Sequence, residues 1–126
     1  MIRTPILAIA GLLLAAPSAL AEQEVTIRFA AQVNGAAFAC GQSYPGLGST
    51  RATARPTDFR FYVHDVQLLR ADGSAVPVRL AETPWQRDGV ALLDFENGQG
   101  PCAQGGNAPT NEVLRGTVAA GSYTGI

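Results

Sequence analysis

The feature that limits this chain most is punctuation: after residue 21, glycine and proline cut it into short apolar segments, and none of these keeps a helical period. Val25, Ile27, Phe29 and Val33 alternate with Thr26, Arg28 and Gln32, the period-two pattern of a half-buried strand. Asn34-Gly35 then signals a turn, and 35–56, which contains Tyr44-Pro45-Gly46-Leu47-Gly48-Ser49, reads as a long irregular connection. Residues 58–70 (DFRFYVHDVQLLR) are dense in aromatic and β-branched residues, and Ala71-Asp72-Gly73-Ser74 turns them into Val76–Leu80 as a hairpin. Apolar residues occur at both parities of 58–70, so this strand is either central in its sheet or changes faces at a bulge. Val90–Phe95 reads as a further buried strand, followed by a loop through Cys102 to Pro109. Glu112–Val118 is another, and Gly121-Ser122 turns the chain toward Tyr123, which is placed to cap the core edge. Short strands with such connections predict an all-β fold, an antiparallel β-sandwich of immunoglobulin-like or related type. The last strand runs into Ile126 without a closing turn. The sandwich is therefore expected to be truncated at its C-terminus, with an unpaired edge and part of the core uncovered.

The first residues have a different character. Arg3 carries positive charge, Ile6–Ala16 are apolar, and Ala19-Leu20-Ala21 has the small-x-small pattern of a cleavage site, so 1–21 is expected to be a secretory signal peptide cut before Glu22. The apolar run, about ten residues, is short of the roughly twenty that cross a bilayer. The mature part, 22–126, is long enough for one small core and no more. Every basic residue is an arginine, and the formal net charge is −1. Without a basic cluster, nucleic acids and anionic membranes are poor partners. The signal predicts a periplasmic or secreted location, and Cys40 and Cys102 both fall in the exported portion, where oxidation is permitted and an even count predicts a disulfide. No C-x-x-C is present to lower a thiol pKa, so the bridge reads as a staple rather than a redox centre.

Few residues can carry chemistry. His64, the only histidine, sits in F-Y-V-H-D-V; it is either a half-buried strand residue with one hydrogen bond or a metal ligand. Asp65, next in an alternating strand, faces the other way unless a bulge intervenes. One imidazole does not make a tight metal site. Asp94 and Glu96 are spaced i, i+2, as a glycosidase pair can be, but such spacing arises often by chance. No nucleophile–base set or G-x-G-x-x-G after a strand is present, and the chain reads as a binding protein, not an enzyme. Trp85, the only tryptophan, lies in the turn-like T-P-W-Q; it either lids the core or stands exposed to oxidation.

Several phrases together are more specific. V-N-G-A-A-F-A-C-G at 33–41, Y-P-G-L-G at 44–48, D-F-R-F-Y-V-H-D-V at 58–66, W-Q-R-D-G-V-A-L-L-D-F-E-N-G at 85–98 and G-T-V-A-A-G-S-Y-T-G at 116–125 resemble the MbnP-like family, the metallo-mystery pair four-Cys-motif proteins. The likeness runs from about Val25 to Ile126 and covers roughly the N-terminal half of the family's pattern. It implies an exported copper-binding protein that acts with a di-haem cytochrome c peroxidase-like partner, which oxidises a tryptophan to kynurenine. Cys40 and Cys102 then resemble the first two motif cysteines, His64 an imidazole donor to copper, and Trp85 a candidate for the modified residue, with further ligands expected beyond Ile126. The alternative is a metal-free secreted adhesion or binding module that uses Trp85 and the Tyr44 loop as its contact surface.

Overall fold

A computed structural model describes residues 21–126; the expected signal sequence lies outside the described residues, apart from Ala21. The chain forms β1 (Glu22–Arg28), β2 (Gln32–Val33), β3 (Ala36–Ala37), β4 (Tyr44–Leu47), β5 (Ala52–Ala54), β6 (Arg60–His64), β7 (Gln67–Leu69), β8 (Ala75–Pro77), β9 (Arg79–Leu80), β10 (Gln86–Arg87), β11 (Val90–Asp94) and, after a 3-10 turn at Gly100–Gln104, β12 (Val113–Ala119). The fold is all-β with antiparallel pairing throughout.

Two three-stranded sheets carry the core. One has the order β1-β12-β9 and the other β10-β11-β6, so β12 and β11 are the central strands. Alternation sends Leu114, Gly116 and Val118 of β12 inward, where they are buried, and leaves Arg115 exposed. Ala91 and Leu93 of β11 are fully buried, and Leu68, Val76, Val78 and Leu80 complete the core between the sheets. Gly116 is a close-approach residue. A Cβ there would stand 2.4 Å from the Arg79 carbonyl oxygen, so any side chain would push β9 away.

The hairpin expected at 58–80 is present as β7–β8, with Gln67, Leu68 and Leu69 opposite Pro77, Val76 and Ala75. The long strand before it is divided. Asp65 takes φ 52°, which ends β6, and the chain re-enters extended structure at Gln67. Of the two readings of that segment, the break is therefore the correct one and the central position is not: β6 is the edge of its sheet. Phe61 and Tyr62 are exposed there. The connection at 35–56 holds more order than its composition signals, with the short ladders β2–β3 and β4–β5. Tyr123 packs against the core and donates its hydroxyl to the Ala119 carbonyl, while beyond it Thr124 and Gly125 pair with Leu69 in place of the expected strand.

A buried side chain also links the two sheets. Gln86 of β10 is 3% exposed; its Oε1 accepts the Arg115 N–H at 2.8 Å, and its Nε2 donates to the carbonyls of Arg115 at 2.7 Å and Ala81 at 2.8 Å. The amide acts as a spare peptide unit inserted beside β12 and just past β9. Replacing Gln86→Leu keeps the volume and strands the Arg115 N–H without an acceptor. It is expected to cost about 2–4 kcal/mol of stability, seen as a lower urea midpoint at unchanged slope.

Candidate metal-binding face

Strand register assigns the candidate residues to faces. Across β6 and β11, His64 lies opposite Val90, Tyr62 opposite Leu92 and Arg60 opposite Asp94; across β10 and β11, Arg87 lies opposite Val90. Directly opposed residues share a face. Ala91 and Leu93 are the buried set, so His64, Tyr62, Val90, Leu92 and Arg87 belong to the outer face. Trp85 joins them by alternation with the inward Gln86, and it shares a surface depression with Tyr62, Arg87, Val90 and Leu92. The two residues that the sequence marked for copper chemistry thus stand on one side of one sheet. Two strand spacings and two residue steps put their Cα atoms roughly 12 Å apart.

Local structure fixes each of them. Thr83 and Gln86 exchange both backbone hydrogen bonds, at 2.9 and 3.2 Å, which closes Thr83-Pro84-Trp85-Gln86 into a tight turn. Pro84 takes the first central position, where its fixed φ suits such a turn. The Trp85 carbonyl accepts the Leu92 N–H at 2.8 Å and its N–H donates to Thr83 Oγ1 at 3.1 Å, so the peptide groups of Trp85 are held while its half-buried ring lies on the outer face. On β10–β11, Asp88 and Gly89 at φ 52° and 76° form the tight link that sets this register.

His64 is an exposed strand residue, its side chain 68% accessible, and not half-buried. The break at Asp65 swings that carboxylate back, and His64 Nδ1 meets Asp65 Oδ2 at 2.7 Å. An ionised carboxylate only accepts, so in the neutral ring this contact favours the tautomer with the proton on Nδ1 and the lone pair on Nε2. This is the arrangement in which a carboxylate orients a metal-binding imidazole. An imidazole held this way can offer one coordinate bond to a metal ion. His64 is the chain's only histidine, so the described donors do not by themselves close a copper site.

The opposite end of β6 is a second polar cluster. Glu96 has no exposed surface; its Oε2 accepts the Gly98 N–H at 2.8 Å, and its Oε1 is 3.8 Å from Arg60 Nη1 with no hydrogen bond. Arg60 also binds Asp58 Oδ2 at 3.0 Å and the Gly105 carbonyl at 2.6 Å, tying three loops together. Gly106 is pressed against the carboxylate, since a Cβ on it would fall within 2.2 Å of the Glu96 carboxyl atoms. Cys40 and Cys102 are joined by the expected disulfide, with 5.9 Å between Cα atoms. Tyr44 is 2% exposed, and its hydroxyl is bonded to Ala37 O and Ala39 N, both at 2.7 Å. That ring braces the Cys40 loop and offers nothing to a surface contact.

These features fit what the comparisons find. The MbnP family model matches residues 22–126. The chain belongs to the MbnP family. A solved structure, MbnP from Methylosinus trichosporium, matches with 35% identity and a TM-score of 0.63, covering 81% of this chain and 36% of that one. The MbnP-family chain described here thus spans about a third of the length of that relative. Among curated proteins nothing matches.

Asp94, on the same outer row as Arg60, is 1% exposed with Oδ2 unpartnered. Burial raises its carboxyl pKa, with the nearby Glu96 charge adding to the effect; the Glu96 N–H and the Arg60 charge oppose it. The folded chain therefore binds this proton more tightly than the unfolded chain. The resulting stability is fully present below the ordinary aspartate range, near 4, and is lost as pH rises through the raised folded value. Asp94→Asn keeps an acceptor for the Glu96 N–H and removes the titration. Its thermal midpoint is expected to lose the wild-type decline above pH 4 and to match or exceed wild type at neutral pH.

Proposed function

We propose that this is an exported copper-binding protein, not an enzyme, in which His64 Nε2 is one copper donor and Trp85 is the residue that a di-haem cytochrome c peroxidase-like partner oxidises to kynurenine. The observation that carries the reading is the shared face: the imidazole oriented by Asp65 and the only tryptophan lie on the exposed side of one sheet, in a chain of the MbnP family. Donors that the described residues do not supply complete the coordination. Neutral imidazole and a modified aromatic suit copper, and here a strand holds His64 while a hydrogen-bonded turn holds Trp85. Export is supported by the disulfide and by the apolar N-terminal run behind Arg3.

The partner supplies the oxidising equivalents, and the position of Trp85 suits delivery from outside. Trp85 lines an open surface depression together with Arg87 and Tyr62. The second reading, a metal-free binding module, draws support from the outer row of Tyr62, Leu92 and Trp85, with Tyr62 70% exposed. Its other element, the Tyr44 loop, is withdrawn by the burial of that ring.

Titration with Cu(I) and Cu(II), before and after exposure to the di-haem partner, separates the two. The copper reading expects chelator-sensitive uptake that rises after exposure, together with the mass signature of kynurenine in the Trp85 peptide. Uptake in neither state ends it. His64→Ala is expected to lower copper affinity by more than tenfold. Asp65→Ala, which frees the imidazole to rotate and change tautomer, is expected to lower it about tenfold to a hundredfold.

A further inference from the structure

The Cys40–Cys102 bridge has a third neighbour to which no role has been given. Cys40 Sγ, Cys102 Sγ and a carboxylate oxygen of Glu96 lie within 4.8 Å of one another. Glu96 and Cys102 have no exposed surface, and Glu96 Oε1 has no hydrogen-bond donor. An orphaned carboxylate oxygen held away from water is costly. In the oxidised protein the sulfurs cannot relieve it, because a disulfide has no proton to donate.

We propose that two-electron reduction of the Cys40–Cys102 disulfide turns this cluster into a binding site for a thiophilic d10 cation such as zinc(II), held by Cys40 Sγ, Cys102 Sγ and a Glu96 carboxylate oxygen. The electrons come from a dithiol: its two thiols give up two electrons and two protons and form their own disulfide, while the Cys40–Cys102 bond breaks into two thiols. Each of these releases its proton as it binds the cation. Attack begins at Cys40, which is half-buried where Cys102 is enclosed.

Two thiolates and one carboxylate form a ligand set that zinc accepts, with a fourth position left for water. Bonds of about 2.3 Å to sulfur give a tetrahedron with edges of about 3.8 Å, so the donors need shifts on the order of 1 Å from their present places. The Cα separation of 5.9 Å leaves that within side-chain rotation. Besides the bridge, the loop keeps the Tyr44 hydroxyl bonded to Ala37 and Ala39 beside Cys40 and Phe38 packed edge-on against Phe59. Three negative donors exceed the charge of the cation by one, and the Arg60 guanidinium at 3.8 Å from Glu96 Oε1 offsets the excess. Four residues of β6 separate this cluster from His64, roughly 13 Å along the strand, so the site does not rest on the copper reading.

The test uses the whole chain under anaerobic conditions, reduced with a phosphine and titrated with zinc(II) against a chromophoric chelator, with thiols counted and far-ultraviolet circular dichroism followed. The reduced chain is expected to show two thiols and bind one equivalent of zinc, and the oxidised chain none. Glu96→Gln is expected to keep both thiols and weaken zinc binding at least tenfold. Should reduction alone unfold the chain, zinc is expected to restore the β signal. The proposal is overturned by no zinc uptake in the reduced chain, by equal uptake in the oxidised chain, by unchanged affinity in Glu96→Gln, or by an unfolded reduced chain that zinc does not rescue.

Discussion

The structure depends on a side-chain amide that behaves as backbone. Two three-stranded sheets of this size bury too little to be stable separately, and each has a central strand with only one fully matched neighbour. Gln86 joins them at the point where the chain passes from one sheet to the other. Its carboxamide meets both main-chain groups of Arg115 and the carbonyl of Ala81. Both amide hydrogens are used, which makes the contact directional where the apolar core is not. The same residue sets the parity of its neighbours: with Gln86 inward, Trp85 and Arg87 face out, and the candidate face follows from a packing requirement.

Much of the fold was legible because burial leaves period-two traces. Val25 and Ile27, the β7–β8 hairpin around Asp72-Gly73, and the apolar runs of β11 and β12 all stand where alternation and turn chemistry put them. The disulfide followed from compartment and count. The strand break at Asp65 was legible only as an option, since a positive φ outside glycine leaves no more in sequence than a preference for residues such as Asp and Asn, which also occur in strands and turns. The ladders within 35–56 are two to four residues long, below the length at which alternation becomes visible.

The candidate site was legible as residues and not as a place. His64 and Trp85 stand out because each is the only one of its kind. That they share a face follows from the pairing of three strands, which no single segment encodes. The withdrawal of Tyr44 and the enclosure of Glu96 are likewise long-range facts. Tyr44 is an aromatic in a turn-rich loop and reads as surface, yet its hydroxyl finds two main-chain partners that bury it. Glu96 reads as the start of a solvated loop, yet Gly98, Gly106 and Arg60 fold around it.

The turn at Thr83–Gln86 separates two duties within one amino acid. Its peptide groups hold the register of β10 on β11, while the indole takes no part in that ladder. Covalent change to the ring therefore touches none of these peptide hydrogen bonds, as a tool bit can be exchanged without disturbing the chuck.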